Sequence, residues 1–269
     1  MDLPANMRPG AFIGTAEVYA RYRPPYPPQL LADLVASVDG AHRFLVDLAT
    51  GPGRVALDLA ASFERVLGVD LEPEMIELAR RRATDRGLGN IAWQVGRAED
   101  VDLVEGSVDL VTIGEAFHRL DQALVARRAL GWLRPGGCLA TLGANERFTG
   151  TTPWEQALSE VCDRWMARAF PEGWGLTMPG QAPGPEARER VLIDAGFASV
   201  EVHELDAPVE LRFEDIIGHL ESTSTCSRHA LGEGFDEFAE ELRATIDPGG
   251  NGRFVEAMRW GYTLARKAT

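Results

Sequence analysis

Four short stretches hold side chains whose type and spacing suggest chemistry. In "FLVDLATGPGRVALDLA" (44–60), Asp47 stands in an apolar run that leads through Ala49, Thr50, Gly51, Pro52 and Gly53 into a second apolar run. Gly51-Pro52-Gly53-Arg54-Val55-Ala56 satisfies the G-x-G-x-x-G/A pattern of a nucleotide-binding turn, where glycines let backbone approach a ligand closely. Asp47 could fix that turn through backbone N–H groups or face an ammonium of the ligand. Asp70 ends "RVLGVD" and follows Gly53 by 17 residues, a spacing that suits an acid accepting from ribose hydroxyls. Leu71 and Met75 come next, suited equally to sandwiching a base or to a core. "GRAED" brings Arg97, Ala98 and Glu99 after a third apolar run. "GEAFHRLD" groups Glu115, His118 and Asp121 after a fourth. An imidazole there, with an ordinary pKa of about 6.5, suits proton transfer at neutral pH, and Glu115 suits a cofactor or a cationic substrate.

These stretches need elements to hold them. Apolar periodicity predicts a helix over 29–38, strands at 44–49, 65–70, 91–96, 108–114 and 138–143, and helices at 54–62, 73–86 and 121–133. Strands apolar on both faces that alternate with helices indicate a parallel, doubly wound sheet covered on both sides. Its ligand crevice lies at the carboxyl ends of the strands, and all four stretches open there. The second half predicts helices at 153–170, 185–196, 213–222 and 234–246, a loop at 171–184 rich in Gly and Pro, and strands at 199–211 and 254–266. The expected organisation is an amino-terminal arm (1–28), a cofactor-binding core (29–144), an insertion (145–183), a return to the core (184–211), an acidic insertion (212–250) and a last core segment (251–269). The arm and the two insertions are expected to form a lid.

The chain carries 27 basic and 41 acidic residues, a net charge of −14. Residues 201–250 contribute 13 acids and 3 bases, a net of −10, whereas residues 1–144, with 19 and 15, contribute −4. This balance argues against nucleic acid, whose phosphates need basic stripes. It suits steering of a cationic partner, or a solvated acidic face. No stretch approaches the ~20 apolar residues of a membrane helix, and "MDLPANMRPG" lacks the layout of a secretory signal. Cys138, Cys162 and Cys226 form neither a metal set nor a disulfide framework. The expectation is therefore a cytoplasmic, metal-free protein with reduced thiols, off the membrane, either a monomer or a homodimer.

Gly51, Gly53 and Asp70 alone leave NAD and S-adenosylmethionine both open. The surrounding blocks are more specific. "VDLATGPGR", "VLGVDLEPEMIELAR", "GRAEDVDLVEGSVDLVTIGEAFHRLD" and "ALGWLRPGGCLATLG" resemble, in order and spacing, the class I S-adenosylmethionine-dependent methyltransferases across 44–143. "DIIGHLESTSTCSRHALGEGFDEF" resembles small-molecule members from actinobacteria. The resemblance implies a Rossmann-like, mostly parallel seven-stranded sheet and S-adenosylmethionine as cofactor, with S-adenosylhomocysteine as product. It implies cofactor contacts from Tyr22, Arg23, Ala49, Thr50, Gly51, Gly53, Asp70, Leu71, Met75, Arg97, Ala98, Glu99 and Glu115. By the same resemblance the arm closes over the cofactor, Arg23 facing its carboxylate; aromatic packing of Tyr19 and Tyr22 would equally anchor the arm. Two positions depart from the family pattern: Ala49 replaces a glycine, and Arg97 replaces an acid near the adenine amine.

His118 is the candidate base or substrate orienter, with a structural histidine as the alternative; Tyr19, Glu115, His118 and Asp121 are candidate substrate contacts. His219 and His229 are weaker candidates. Joined to the acidity of 201–250, the reading is a methyltransferase for a small cationic acceptor, an aminoglycoside amine of antibiotic biosynthesis. The alternatives are an O-methyltransferase of a polyketide or carboxylate, an NAD-dependent oxidoreductase, and a non-catalytic binding or regulatory protein that kept the fold.

Overall fold

The structure, a computed structural model, describes residues 4–144, 148, 150, 152–175 and 184–269. Along the chain, α1 (Ala16–Tyr22) and α2 (Pro28–Ala36) precede β1 (Phe44–Leu48), α3 (Arg54–Leu59), β2 (Arg65–Asp70), α4 (Pro73–Asp85), β3 (Ile91–Val95), β4 (Val108–Gly114), α5 (Gln122–Trp132) and β5 (Leu133–Ala144). Next come α6 (Pro153–Ala169), α7 (Pro185–Ala195), β6 (Ser199–Asp206), β7 (Val209–Leu211), α8 (Phe213–Glu221), α9 (Arg228–Leu231), α10 (Phe235–Ile246), β8 (Phe254–Glu256) and β9 (Arg259–Arg266). Among the described residues, no helix is long and apolar enough to cross a membrane.

The chain divides into two compact units. One comprises Pro25–Gly143, Leu176–Leu205 and Trp260–Thr269. Its seven-stranded sheet runs β3-β2-β1-β4-β5-β9-β6. The pairs β1–β2, β1–β4, β2–β3 and β4–β5 are parallel. Bonds from Ala198 N–H to the Arg266 carbonyl and from Ala207 N–H to that of Met258 show β9 running against β6. The sheet is thus mostly parallel, as expected. Every residue of β1 is buried, since a central parallel strand is covered on both faces. Val46, Leu48, Val111 and Ile113 join Val125, Ala126 and Ala129 of α5 in the main core. At the opposite end from the glycine turn, the buried Asp109 accepts from the N–H groups of Arg43 and Phe44 and pairs with Arg134 Nε at 2.5 Å. That acid ties strand starts together, away from the chemistry-bearing edge. Strand order reverses between β1 and β4, which creates the crevice at their carboxyl ends.

The other unit comprises Met1–Pro24, Ala144–Gly175 and Asp206–Arg259. It has its own apolar core, with Leu158, Trp165, Ile216, Phe238 and Leu242 at its centre, and its own antiparallel ribbon, Leu211 opposite Phe254 and Val209 opposite Glu256. Two expected strands divide here. The 199–211 pattern breaks at Ala207-Pro208, where proline has no N–H for the ladder. β6 therefore stays in the large sheet while β7 joins the ribbon. The 254–266 pattern breaks at Ala257-Met258, where Met258 N–H bonds back to the Glu256 carbonyl in a tight turn. In both cases the two-residue alternation runs straight through the break, so periodicity did not reveal it. β5 also starts earlier than expected, at Leu133, and the short α9 was unforeseen. Of the expected loop at 171–184, residues 176–183 lie outside the described residues.

Candidate functional site

The glycine turn is built from its own acid. Asp47, in the middle of β1 and 1% exposed, accepts from Thr50 Oγ1 (2.5 Å) and Ala56 N–H (3.2 Å) through one carboxylate oxygen and from Thr112 Oγ1 (2.7 Å) through the other. Burial pushes its pKa up to about 6 against the pull of those donors, with a smaller push from Asp70. Of the two roles open in the sequence, the geometry assigns the fixing of the turn. Thr50 N–H bonds to the Val69 carbonyl, so the turn is also pinned to β2.

Two glycines in this turn have left-handed backbone, Gly51 at φ 55° and Gly53 at φ 79°. A side chain at Gly53 would come within 2.8 Å of the Trp93 ring, while one at Gly51 would meet nothing within 4 Å. Trp93, on β3, lies over both Gly53 and Gly68. Gly51 therefore leaves the open side of the turn and Gly53 the packed side. Ala49 also has positive φ, 51°. Where the family pattern has glycine, this chain holds an L-residue in a conformation that costs roughly 1–2 kcal/mol.

Asp70 closes β2 beside this turn. Its Oδ2 accepts from Gly51 N–H (2.7 Å) and its Oδ1 from Glu72 N–H (2.9 Å). Burial raises its pKa in spite of those bonds and a further one from the Leu71 backbone. Each oxygen of a carboxylate accepts at about two sites, so the group is oriented by backbone and retains acceptor capacity for a vicinal diol. Leu71 is 41% exposed directly after it, and Val95, the β3 partner of Asp70, is 49% exposed. An exposed apolar pair beside an oriented carboxylate suits a nucleoside, with a flat base and a polyhydroxyl sugar. Met75 is buried at 3% on the inner face of α4, so the core reading holds for it. The donor set thus fits an adenosine-bearing cofactor, for which Asp70, the backbone at Thr50–Gly53 and the exposed Leu71 are the candidate contacts.

The loop after β3 is less open than expected. Ala98 is buried. Glu99 is buried as well, accepting from Asp121 N–H (3.0 Å) and lying 3.5 Å from Arg97 Nε. Its carboxylate therefore joins the loop to the start of α5. Asp121 caps that helix, accepting from Leu124 N–H, which gives it a structural duty. Glu115, the residue after β4, has φ 52° and pairs with Arg54 at 2.9 Å. His118 lies half-buried in the single 3₁₀ turn Phe117–Arg119 that follows. The carboxyl ends of β1, β2 and β4 thus bring Ala49, Gly51, Asp70 and Glu115 to one sheet edge.

Tyr19, Tyr22 and Arg23 belong to the other unit. There the Tyr22 ring packs against Gly218 of α8, where a Cβ would overlap it, and Arg23 stacks over Tyr19 at 4.7 Å. Arg23 Nε also donates to Ser222 Oγ at 2.8 Å. These contacts anchor the arm to α8. His219 is buried in that unit against Phe148, and His229 is exposed. Among the described residues, no group of three or more His, Cys, Asp and Glu could hold a metal ion. Sequence reasoning passed over Tyr26, Arg54 and Trp93; the Arg54 position, directly after the glycine turn, was the available signal.

Residues 45–137 match a family described as a methyltransferase domain. An uncharacterized methyltransferase of Mycobacterium tuberculosis is 27% identical over 217 residues, covering 80% of this chain and 77% of that protein. The ubiquinone/menaquinone biosynthesis C-methyltransferase UbiE of Rubrivivax gelatinosus is 33% identical over 172 residues, 61% of this chain and 66% of that one. Among solved structures, Haemonchus contortus phosphoethanolamine N-methyltransferase 2, in complex with phosphomonomethylethanolamine and S-adenosylhomocysteine, superposes with a TM-score of 0.56. It is 14% identical, and the match covers 98% of this chain and 58% of that one.

Proposed function

We propose that the chain, an S-adenosylmethionine-dependent methyltransferase by its matched domain and relatives, methylates an amine of a small cationic acceptor, an amino sugar of the aminoglycoside kind. The observation that carries the acceptor class is the charge distribution: a net of −10 across residues 201–250. Within this span Arg243 pairs with Glu214, and Arg228 with Glu221 and Asp236. Three bases against 13 acids leave a surplus of negative charge. Such a field raises the local concentration of a polycation and speeds its encounter.

When bound, the cofactor supplies an electrophilic methyl group on a sulfonium, and the protein supplies alignment. Asp70 orients the sugar by accepting from its hydroxyls, and the Thr50–Gly53 backbone lines the approach. Glu115 receives a cationic group at the β4 tip. His118, in the next turn, accepts the proton that an ammonium must lose before its nitrogen can attack. The oxidoreductase reading of the glycine pattern is not favoured, because the matched family and relatives are methyltransferases. A cytoplasmic setting and a place in antibiotic biosynthesis accompany the amine reading as parts of the same proposal.

A second reading has its own support. The relative at 33% identity is named a ubiquinone/menaquinone biosynthesis C-methyltransferase, which favours a carbon acceptor on a quinol-like ring. One competition assay separates the two: labelled S-adenosylmethionine with kanamycin, gentamicin and spermidine against neutral phenols and quinols, scored by gain of one methylene in mass. Methylated amines, at rates that fall with added salt, support the proposal. Methylation confined to the neutral ring compounds overturns it. In the amine case His118→Ala should lower kcat and remove the acidic limb of the pH profile.

A further inference from the structure

The crevice edge contains a second assembly, outside the glycine turn. Arg54 is the first residue of α3. Its guanidinium pairs with Glu115 at 2.9 Å, with only 10% and 15% of the two side chains exposed. The same guanidinium lies over the Tyr26 ring, 4.6 Å from its centroid. Tyr26 is itself buried, tilted against Trp260 at 4.7 Å, and a Cβ at Gly114 would overlap its hydroxyl. Three chain segments therefore meet: the proline-rich stretch before α2, the start of α3 and the tip of β4.

This assembly holds a strained residue. Glu115 has left-handed backbone at φ 52°, rare for a residue with a side chain, and its N–H bonds to the Leu142 carbonyl at 2.8 Å. Strain of this kind persists where surrounding contacts over-determine the conformation, and it concentrates at functional sites. β1 and β4 are adjacent, Leu48 opposite Ile113, so Glu115 emerges beside the turn that Arg54 follows. A tie between α3 and β4 alone would not need a left-handed residue. A carboxylate accepts at about four sites; Arg54 occupies Oε2, and the clasp aims the group as a whole.

We propose that Tyr26 and Arg54 are positioning residues which act through Glu115 to preset the β1–β4 edge, so that cofactor affinity depends on this clasp as well as on Asp70. The proposal rests on the methyltransferase reading, and its test keeps the two apart. S-adenosylhomocysteine affinity is measured by calorimetry on the full chain, alongside ligand-free melting temperatures, for wild type, Arg54→Ala, Arg54→Lys, Glu115→Gln and the Arg54→Ala/Glu115→Gln double variant. Arg54→Ala should weaken binding about tenfold, the scale of one lost charge-assisted bond. Arg54→Lys should recover part of that loss, keeping the charge without the planar stack. The double variant should lose less than the sum of the singles. A purely structural tie would lower melting temperatures and leave affinity within twofold of wild type; that result overturns the clasp. Glu115→Gln, nearly isosteric, decides the matter if Arg54→Ala does not fold. Wild type failing to bind the nucleoside at all overturns the cofactor reading and the clasp with it.

Discussion

Replacing Asp47 with asparagine should change the pH dependence of stability by a calculable amount. The carboxylate is fully enclosed and satisfied by Thr50, Thr112 and Ala56, yet burial keeps its pKa near 6 against an ordinary value of 3.8. A folded-state value above the unfolded one means the folded protein binds more protons between the two values. The associated stability is therefore fully present below about pH 3.8 and lost as pH rises through about 6. Linkage makes the wild type more stable at pH 5 than at pH 7.5 through this group by on the order of 1 kcal/mol, and by roughly 3 kcal/mol below both values. Every other acid titrates in both proteins, so the difference between wild type and Asp47→Asn isolates Asp47. Urea unfolding at pH 5 and pH 7.5, followed by far-UV circular dichroism, reads it. The wild-type advantage over the variant should grow by on the order of 1 kcal/mol on going to pH 5. A gap that is constant, or that shrinks on acidification, would refute the claim that desolvation outweighs three hydrogen bonds at this site.

Two further outcomes follow from the turn. Ala49→Gly should stabilise the protein by up to about 1 kcal/mol, because relief of roughly 1–2 kcal/mol of left-handed strain exceeds the ~0.4–1 kcal/mol of added unfolded-chain entropy. Thermal melting checks it, and a lower melting temperature contradicts it. Asp70→Asn removes the charge and places an amide NH₂ against the Gly51 or Glu72 N–H. S-adenosylhomocysteine affinity should fall by about 10–100-fold, the span of losing one or two charge-assisted bonds. Calorimetry showing wild-type affinity would remove Asp70 from the sugar site.

Much of the sheet was legible because its cause is local. Strands at 65–70 and 108–114 have the expected bounds, since central parallel strands must be apolar on both faces and glycine or acid ends them. Gly51 and Gly53 were legible as turn residues for the same reason: a turn needing positive φ permits few residue types. The breaks at Pro208 and Met258 were not, because each side of the break keeps the same alternation and only the partner strand differs.

What the residues determined by themselves is therefore the succession of strands and helices and the chemical kind of each strand tip, both set by short-range sterics and by period. Partnership was decided only in three dimensions. Nothing in the order of letters says that Asp47 is consumed by Thr50, Thr112 and Ala56, that Glu99 serves Asp121, or that Tyr26 reaches Arg54 and through it Glu115. A side chain's role depends on which donors and rings surround it. Those neighbours come from segments up to 89 positions away, as Tyr26 and Glu115 do, and chain folding alone brings them together.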